Sequence, residues 1–426
     1  MKSSSTVALG ILVMWSMLVP KVSAQGKYAF EGAPFFYSNT QPIDAATILN
    51  TAIHGREAEV RAWPARQRLQ WLLKSLGIPE ASQILVFSRT SLQRKMITPE
   101  NPRALYYSDN AYVGWVPGGM MEVTVFDPVL GATFYAFDPD DTGVLLQRSG
   151  DCLSCHVTHD ETPTLRARSI FPDAHGDPLG GSSISNIDCA TPLSRRWGGW
   201  YVTGGATSLR HRGNITGQSA DDFGRVPRGT VLAALPAEAH PDNYLQPTSD
   251  IVALLVHDHQ VHVHNVLLAA SQQSRLALHR WPIMREVLHL PANAPPSGSC
   301  LTVLESQASK VIDALLFREE AAYPETGIHG HGPFELAYRE GRKVDTLGHS
   351  LRDLDLKTRL YRYRCSPLVY AESFSSMPLE LKVLVLQKLS EGLSATEPPE
   401  AFQHLANDER ATIRQILIQT LPGFPK

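Results

Sequence analysis

The chain has 426 residues, of which 43% are hydrophobic and 19% are charged. This balance indicates a globular protein rather than a disordered one, with enough length for two closely packed domains. The formal net charge of −3 argues against nucleic acid or an anionic membrane surface as the main partner.

The N-terminus has the pattern of a signal peptide. Lys2 supplies a short basic region, residues 7–20 are mostly apolar, and Val22-Ser23-Ala24 offers small residues where a signal peptidase cuts. We therefore expect a signal peptide over residues 1–24, and a periplasmic or secreted protein. An uncleaved anchor is the alternative, although the apolar run is short for spanning a bilayer. Later segments of the sequence contain no such run, so we expect no stable membrane span after cleavage.

Next in the chain come two helical patterns and then a β-rich region. Residues 43–53 and 64–76 have helical periodicity, and Gly77 is a typical stop. From residue 84 to residue 146 the segments are short, β-branched or aromatic, and separated by turns such as Asp109-Asn110 and Pro117-Gly118-Gly119. This alternation predicts an antiparallel meander.

The meander is followed by the sequence Cys152-Leu153-Ser154-Cys155-His156. C-x-x-C-H is the attachment signature of a c-type haem. The thiols of Cys152 and Cys155 would form thioethers with the two haem vinyl groups, and His156 would be the proximal iron ligand. The motif therefore predicts one covalently bound haem c. Bacteria attach haem c outside the cytoplasm, which agrees with the expected export.

Two other interpretations of this motif are a zinc site and a redox disulfide. Cys152, Cys155, His156 and His159 contain the ligand types that zinc prefers. Structural zinc sites, however, usually draw ligands from two separated segments. A redox C-x-x-C normally opens a helix in a thioredoxin-like βαβ unit, and no such pattern surrounds these residues. Haem is therefore the favoured interpretation.

The remaining cysteines are Cys189, Cys300 and Cys365. An oxidising compartment permits one disulfide among them, with one thiol left over. Buried free thiols that pack as small hydrophobic side chains are the alternative. The sequence does not choose between these possibilities.

The second half of the chain reads as mainly helical. Residues 213–249 are rich in Gly, Pro and Asp and indicate a connecting loop with a domain boundary inside it. Thr248-Ser249-Asp250 is a cap for a long helix to about residue 276, and further helices fit residues 280–289, 301–320, 378–392 and 407–419. We expect an α+β protein: a β-rich haem c domain over residues 25–235, with two N-terminal helices, packed on a helical domain over residues 236–426.

The second axial position of the iron decides what the haem can do. An endogenous sixth ligand is typical of an electron carrier, whereas an open site can bind a small molecule. His211 is a candidate because it lies in a Gly- and Arg-rich segment, where Arg210 and Arg212 could meet the haem propionates. An exposed basic loop without a role is the alternative.

The long helix after Asp250 offers further candidates. At 100° per residue, His257 and His264 share one face, while His259 and His262 lie nearer the other. All four therefore cannot address one iron. Hydrogen-bonded core histidines are the alternative, because apolar residues surround this helix on every side.

The motif resembles that of c-type cytochromes over about five residues. More widely, the chain resembles a group of large exported mono-haem c proteins without an assigned reaction. The similarity lies in the haem motif, in Trp197-Gly198-Gly199-Trp200-Tyr201, in Arg210-His211-Arg212-Gly213-Asn214 and in the segment from His259 to Asn265. This resemblance makes His259 and His264 the preferred distal candidates on the long helix.

These observations lead to one main functional hypothesis and two alternatives. The main hypothesis is an exported mono-haem c-type cytochrome that transfers electrons to a redox partner protein. The first alternative is a peroxidase-like haem enzyme in which His211, with Arg210 or Arg212, assists cleavage of an O–O bond. The second is a haem-based protein that binds a small ligand without turnover.

Overall fold

The computed structural model describes residues 28–157, 162–180, 184–224 and 228–426. The expected signal peptide lies outside these residues. The α+β class is confirmed: a β-rich N-terminal half precedes a helical C-terminal half. The described helices are α1 Ala45–Ala52, α2 Glu57–Ala62, α3 Ala65–Ser75, α4 Leu153–His156, α5 Ile251–Val287, α6 Gly298–Leu315, α7 Pro333–Arg339, α8 Glu372–Ser375, α9 Leu379–Ser394 and α10 Asn407–Thr420.

The main sheet is the antiparallel meander that the turn pattern predicts. Within the described residues it has six strands in sequential order, each paired with the next along the chain. Its strands are β1 Ile84–Val86, β2 Arg103–Tyr107, β3 Ala111–Trp115, β4 Met121–Asp127, β5 Gly131–Phe137 and β6 Gln147–Arg148. Two small antiparallel pairs follow, formed by β7 Arg168–Ile170 with β8 Ile184–Asn186 and by β9 Arg210–His211 with β10 Gly229–Thr230.

The two faces of this sheet pack against different helices. Side chains alternate between faces along a strand, and Tyr106 and Val113 lie in one hydrophobic cluster with Leu69 and Leu72 of α3. Residues of the opposite face lie in a second cluster with the first turns of α5. The sheet is therefore a middle layer between the N-terminal helices and α5.

The central helix α5 is longer than the sequence pattern predicts. Asp250 caps it by accepting hydrogen bonds from the N–H groups of Val252 and Ala253. The predicted break between residues 276 and 280 is wrong, because the helix continues through Pro282 to Val287. A proline removes only one helical donor, and packing can override this local cost.

Helix α5 also joins the two halves of the chain. Val252 belongs to the cluster that contains Trp197, whereas Val263 and Leu267 belong to the cluster formed by α6, α9 and α10. One hydrophobic cluster thus includes residues on both sides of the boundary expected at residues 235 and 236. No helix in the described part of the chain combines the length and the apolar composition of a membrane-spanning segment.

A buried aspartate fixes the first helix to the sheet. The Oδ1 atom of Asp44 accepts a hydrogen bond from the N–H of Thr47 and caps α1. Its Oδ2 atom accepts hydrogen bonds from the hydroxyls of Thr133 and Tyr135 on β5. The side chain therefore satisfies a helix terminus and two buried hydroxyls at once.

We predict that Asp44→Ala lowers the free energy of unfolding by about 3 kcal/mol, because it removes a cap and leaves the buried hydroxyl of Tyr135 without a partner. Chemical denaturation checks this value. The matched control is Asp408→Ala, an exposed acid in the first turn of α10, which should cost about 0.5 kcal/mol or less. Equal losses in the two variants would contradict the assigned role of Asp44.

Candidate functional site

The C-x-x-C-H segment forms a single helical turn. The N–H of His156 donates to the carbonyl of Cys152 over 3.0 Å, which closes α4. Residues three and four positions apart share a face of a helix, so both cysteines and the histidine lie on one side. Cys152 and His156 are half-buried, Cys155 is exposed, and the two thiols are not joined in a disulfide.

The ring of His156 is held in one tautomer. Its Nδ1 atom lies 2.7 Å from the carbonyl oxygen of Thr164. Because a carbonyl only accepts hydrogen bonds, Nδ1 carries the proton and Nε2 keeps its lone pair. Burial lowers the pKa of His156 to about 4, and the ring of Phe134 lies 4.6 Å from it. At neutral pH the side chain is therefore an uncharged imidazole with a free Nε2.

The segment that carries Thr164 is tied to helix α5. The N–H of Thr164 donates to the carbonyl of His156 over 2.8 Å. The next residue, Leu165, has both of its backbone groups bound by the side-chain amide of Asn265, at 2.8 and 3.1 Å. The guanidinium of Arg166 donates to the carbonyl of Cys155 over 2.7 Å. The position of the histidine thus depends on a contact with the central helix.

Cys152, Cys155 and His156 line a cavity between the sheet, α4 and α5. The empty space among the lining residues is about 1090 Å³, a figure that includes open solvent at the mouth of the cavity. Much of its wall is apolar and comes from strands, loops and α5: Val86, Leu105, Phe134, Ile170, Trp200 and Val261. Basic residues also reach it, namely Arg103, Arg166 and Arg168. The arrangement suits a large apolar molecule with anionic groups.

One part of the cavity wall depends on a missing side chain. Gly114 on β3 pairs directly with Glu122 on β4. A methyl group at Gly114 would overlap the guanidinium of Arg103, which crosses this position to form an ion pair with Glu122. Because Gly114 has no side chain, the guanidinium of Arg103 on β2 passes over β3 and reaches Glu122 on β4. All three residues line the cavity.

Several polar atoms around the cavity lack hydrogen-bond partners. Among the described lining residues, these buried atoms are Ser88 Oγ, Arg103 Nε, Tyr112 OH, Glu122 Oε1 and His257 Nδ1. Burying a polar group without a partner is costly, and such groups are uncommon in folded proteins. Their concentration around one apolar cavity is the pattern expected of a binding site.

The structure places His211, the first distal candidate, away from this cavity. His211 is buried in β9, where its Nδ1 accepts a hydrogen bond from the N–H of Gly213 over 3.0 Å. Its ring packs against that of Trp197, with centroids 5.5 Å apart. His211 and its neighbours Arg210 and Arg212 do not belong to the described residues that line the cavity.

The preferred helix candidates, His259 and His264, are core residues that likewise do not line the cavity. His259 bonds the hydroxyl of Ser366 and stacks on Phe317, whereas His264 bonds that of Ser373. Burial lowers the pKa of His264 to about 3 and that of His259 well below its ordinary value. Both are therefore neutral, hydrogen-bonded imidazoles.

The histidine of α5 that lines the cavity is His257. The sequence itself contains a pattern that links His257 to the segment after the C-x-x-C-H motif. His257, Val261 and Asn265 follow each other at intervals of four residues and share one stripe of the helix. Val261 also lines the cavity, and Asn265 holds the segment after the motif. Arg103 and Tyr112 carried no comparable signal, because only the strand pairing brings them to the site.

Two other possibilities from the sequence were a zinc site at the motif and a disulfide among the remaining cysteines, and the geometry of the described residues supports neither. Within the described ranges, no group of three or more His, Cys, Asp or Glu residues is arranged to hold a metal ion, although His159 lies outside those ranges. Cys189, Cys300 and Cys365 are all free thiols. No disulfide forms among these three residues, so the alternative of free thiols agrees with the structure.

Comparisons with models of protein families, with curated proteins and with solved structures found no match. The site is therefore interpreted from its own geometry.

The two motif thiols should differ in reactivity. Burial raises the pKa of Cys152, whereas Cys155 is exposed, and the thiolate is the reactive form. In protein produced without haem attachment and kept reduced, we predict that iodoacetamide modifies Cys155 several-fold faster than Cys152. Peptide mass spectrometry measures both rates, with buried Cys365 as the slow reference. Faster modification of Cys152 would contradict the described site.

A second prediction concerns Glu320, near His259, because burial raises its pKa to about 7. An unfolded glutamate titrates near pH ~4.3. Between these two pH values the folded state holds a proton that the unfolded state has released. The contribution of Glu320 to the free energy of unfolding is therefore fully present at low pH and is lost as the pH rises toward 7. In the wild-type protein this loss should lower the melting temperature between pH 5 and 8, and the decrease should be smaller in Glu320→Gln. Glu319→Gln, at an exposed neighbour, should leave that fall unchanged, and a slope retained in Glu320→Gln would refute the assignment.

Proposed function

We propose that this chain is an exported mono-haem c protein that transfers electrons, with its haem attached at the Cys152–His156 cavity. One observation carries the proposal: the C-x-x-C-H turn lies on the wall of a mostly apolar cavity and presents a neutral imidazole whose Nδ1 is already bound. The attachment signature and a mostly apolar cavity therefore coincide.

The hydrogen bond of His156 suits an axial ligand. Histidines that bind metals almost always donate their other ring N–H to a carbonyl or carboxylate, which fixes the tautomer and the ring orientation. The carbonyl of Thr164 fills that role. The low pKa of His156 also favours metal binding, because a protonated ring would have no lone pair to offer.

The charges around the cavity suit a group with two carboxylates. Arg103, Arg166 and Arg168 line it together with the acids Asp151 and Glu122. Arg166 is bound to backbone carbonyls and Arg103 to Glu122, yet Arg103 Nε has no partner. Guanidinium groups bind carboxylates through charge-assisted hydrogen bonds, so Arg103 Nε would be a suitable partner for a haem propionate.

Electron transfer is the activity that the site supports best. A bound haem would supply one-electron exchange at its iron. Because Cys155 is exposed, the part of the cavity beside the C-x-x-C-H motif reaches the protein surface. A redox partner protein would dock there. The peroxidase hypothesis required His211 and its neighbouring arginines beside the iron, and the described geometry offers no support for that arrangement.

Covalent attachment tests the proposal. The full-length chain, produced in a bacterial host that assembles c-type cytochromes, should carry one haem that survives denaturing electrophoresis and acidified organic solvent. Cys152→Ser with Cys155→Ser should abolish covalent haem, because no thioether can form. The matched control, Cys300→Ser with Cys365→Ser, alters thiols that do not line the cavity and should retain it. A colourless wild-type protein, despite correct export, would overturn the proposal.

A further inference from the structure

His257 is the histidine that accompanies His156 among the described lining residues of the cavity. It comes from α5, whereas His156 comes from α4, so the two imidazoles belong to different parts of the wall. The side chain is almost completely buried, and its Nδ1 atom has no hydrogen-bond partner. Because this imidazole belongs to the wall of the cavity, it is placed to contact a molecule that fills it.

The neighbouring carboxylate lies on the Nδ1 side of this ring. Asp258 is buried, and its Oδ2 atom accepts a hydrogen bond from the indole N–H of Trp197 over 3.0 Å and from Arg196 over 3.3 Å. Its Oδ1 atom lies 3.7 Å from Nδ1 of His257. The carboxylate therefore faces the Nδ1 side of the imidazole, and the second nitrogen, Nε2, is the one left for a metal.

Aromatic rings restrict the remaining freedom of His257. Trp200, Tyr107 and Tyr112 lie with their ring centroids 5.9, 5.5 and 6.1 Å from that of the imidazole. Tyr107 is itself held by a hydrogen bond from its hydroxyl to the carbonyl of Ala253, one turn earlier in α5. A ring packed on several sides is preorganised, so binding through it requires little loss of side-chain entropy.

We propose that Nε2 of His257 would supply the second protein ligand of the haem iron, together with His156. This inference rests on the proposed function and refines it. The described residues that line the cavity include no methionine, and Glu122 is paired with Arg103. Both motif cysteines would be taken up by the proposed thioethers. Two histidine ligands make the iron low-spin and leave no open site, as an electron carrier requires.

The experiment compares absorption and electron paramagnetic resonance spectra of the purified holoprotein with those of His257→Ala. Wild-type protein should be low-spin in both oxidation states and unaffected by carbon monoxide. His257→Ala should become high-spin and bind carbon monoxide, and added imidazole should restore the low-spin spectrum. The matched control is His262→Gln, on the same helix but outside the cavity lining, which should behave like wild type.

A second variant covers the case in which His257→Ala does not fold. His257→Met retains an apolar side chain and a metal ligand, and replacing an imidazole by a thioether raises the reduction potential of a haem. A low-spin spectrum with a more positive potential supports the proposal. Haem-loaded wild-type protein that is high-spin and binds carbon monoxide, or a His257 variant with an unchanged spectrum and potential, overturns it. A wild-type protein without covalent haem instead overturns the proposed function, so the two failures are distinguishable.

Discussion

The proposed site depends on the hydrogen bond between His156 Nδ1 and the carbonyl of Thr164. Without it the imidazole would have no fixed tautomer, and its Nε2 would have no defined direction. The bond exists because Asn265 holds both backbone groups of Leu165, the residue after Thr164. Helix α5 therefore positions the proposed ligand His156, which lies about one hundred residues earlier in the chain.

The same helix connects the site with the rest of the protein. His257 and Val261 line the cavity, and Asn265, one turn further along the same stripe of α5, binds Leu165; residues on other sides of the helix pack into the helical half. The first half of α5, from Ile251 to His264, is buried on nearly every side, and a helix packed in this way is rigid because any rotation would disturb close packing. Such rigidity would suit the proposed electron carrier, which should change little in structure when its charge changes.

The segments that suggested a resemblance to mono-haem c proteins have physical roles in the structure. Trp197 binds Asp258, and Trp200 contacts His257 and lines the cavity. Gly199 adopts a positive φ of 79°, and a side chain there would collide with Ser88. The aromatic run therefore packs close to β1 and supports the histidine of α5, whereas His211 packs behind it against Trp197.

The sequence by itself determined the α+β class, the meander and most helix positions, because these follow from local periodicity and turn residues. It also identified Cys152, Cys155 and His156, whose chemistry depends on their spacing within one helical turn. Only the tertiary structure decided which histidine of α5 lines the cavity, and that Arg103 reaches Glu122 across Gly114. Those contacts join residues distant in sequence, and the packing of the sheet on α5, rather than any local pattern, brings them together.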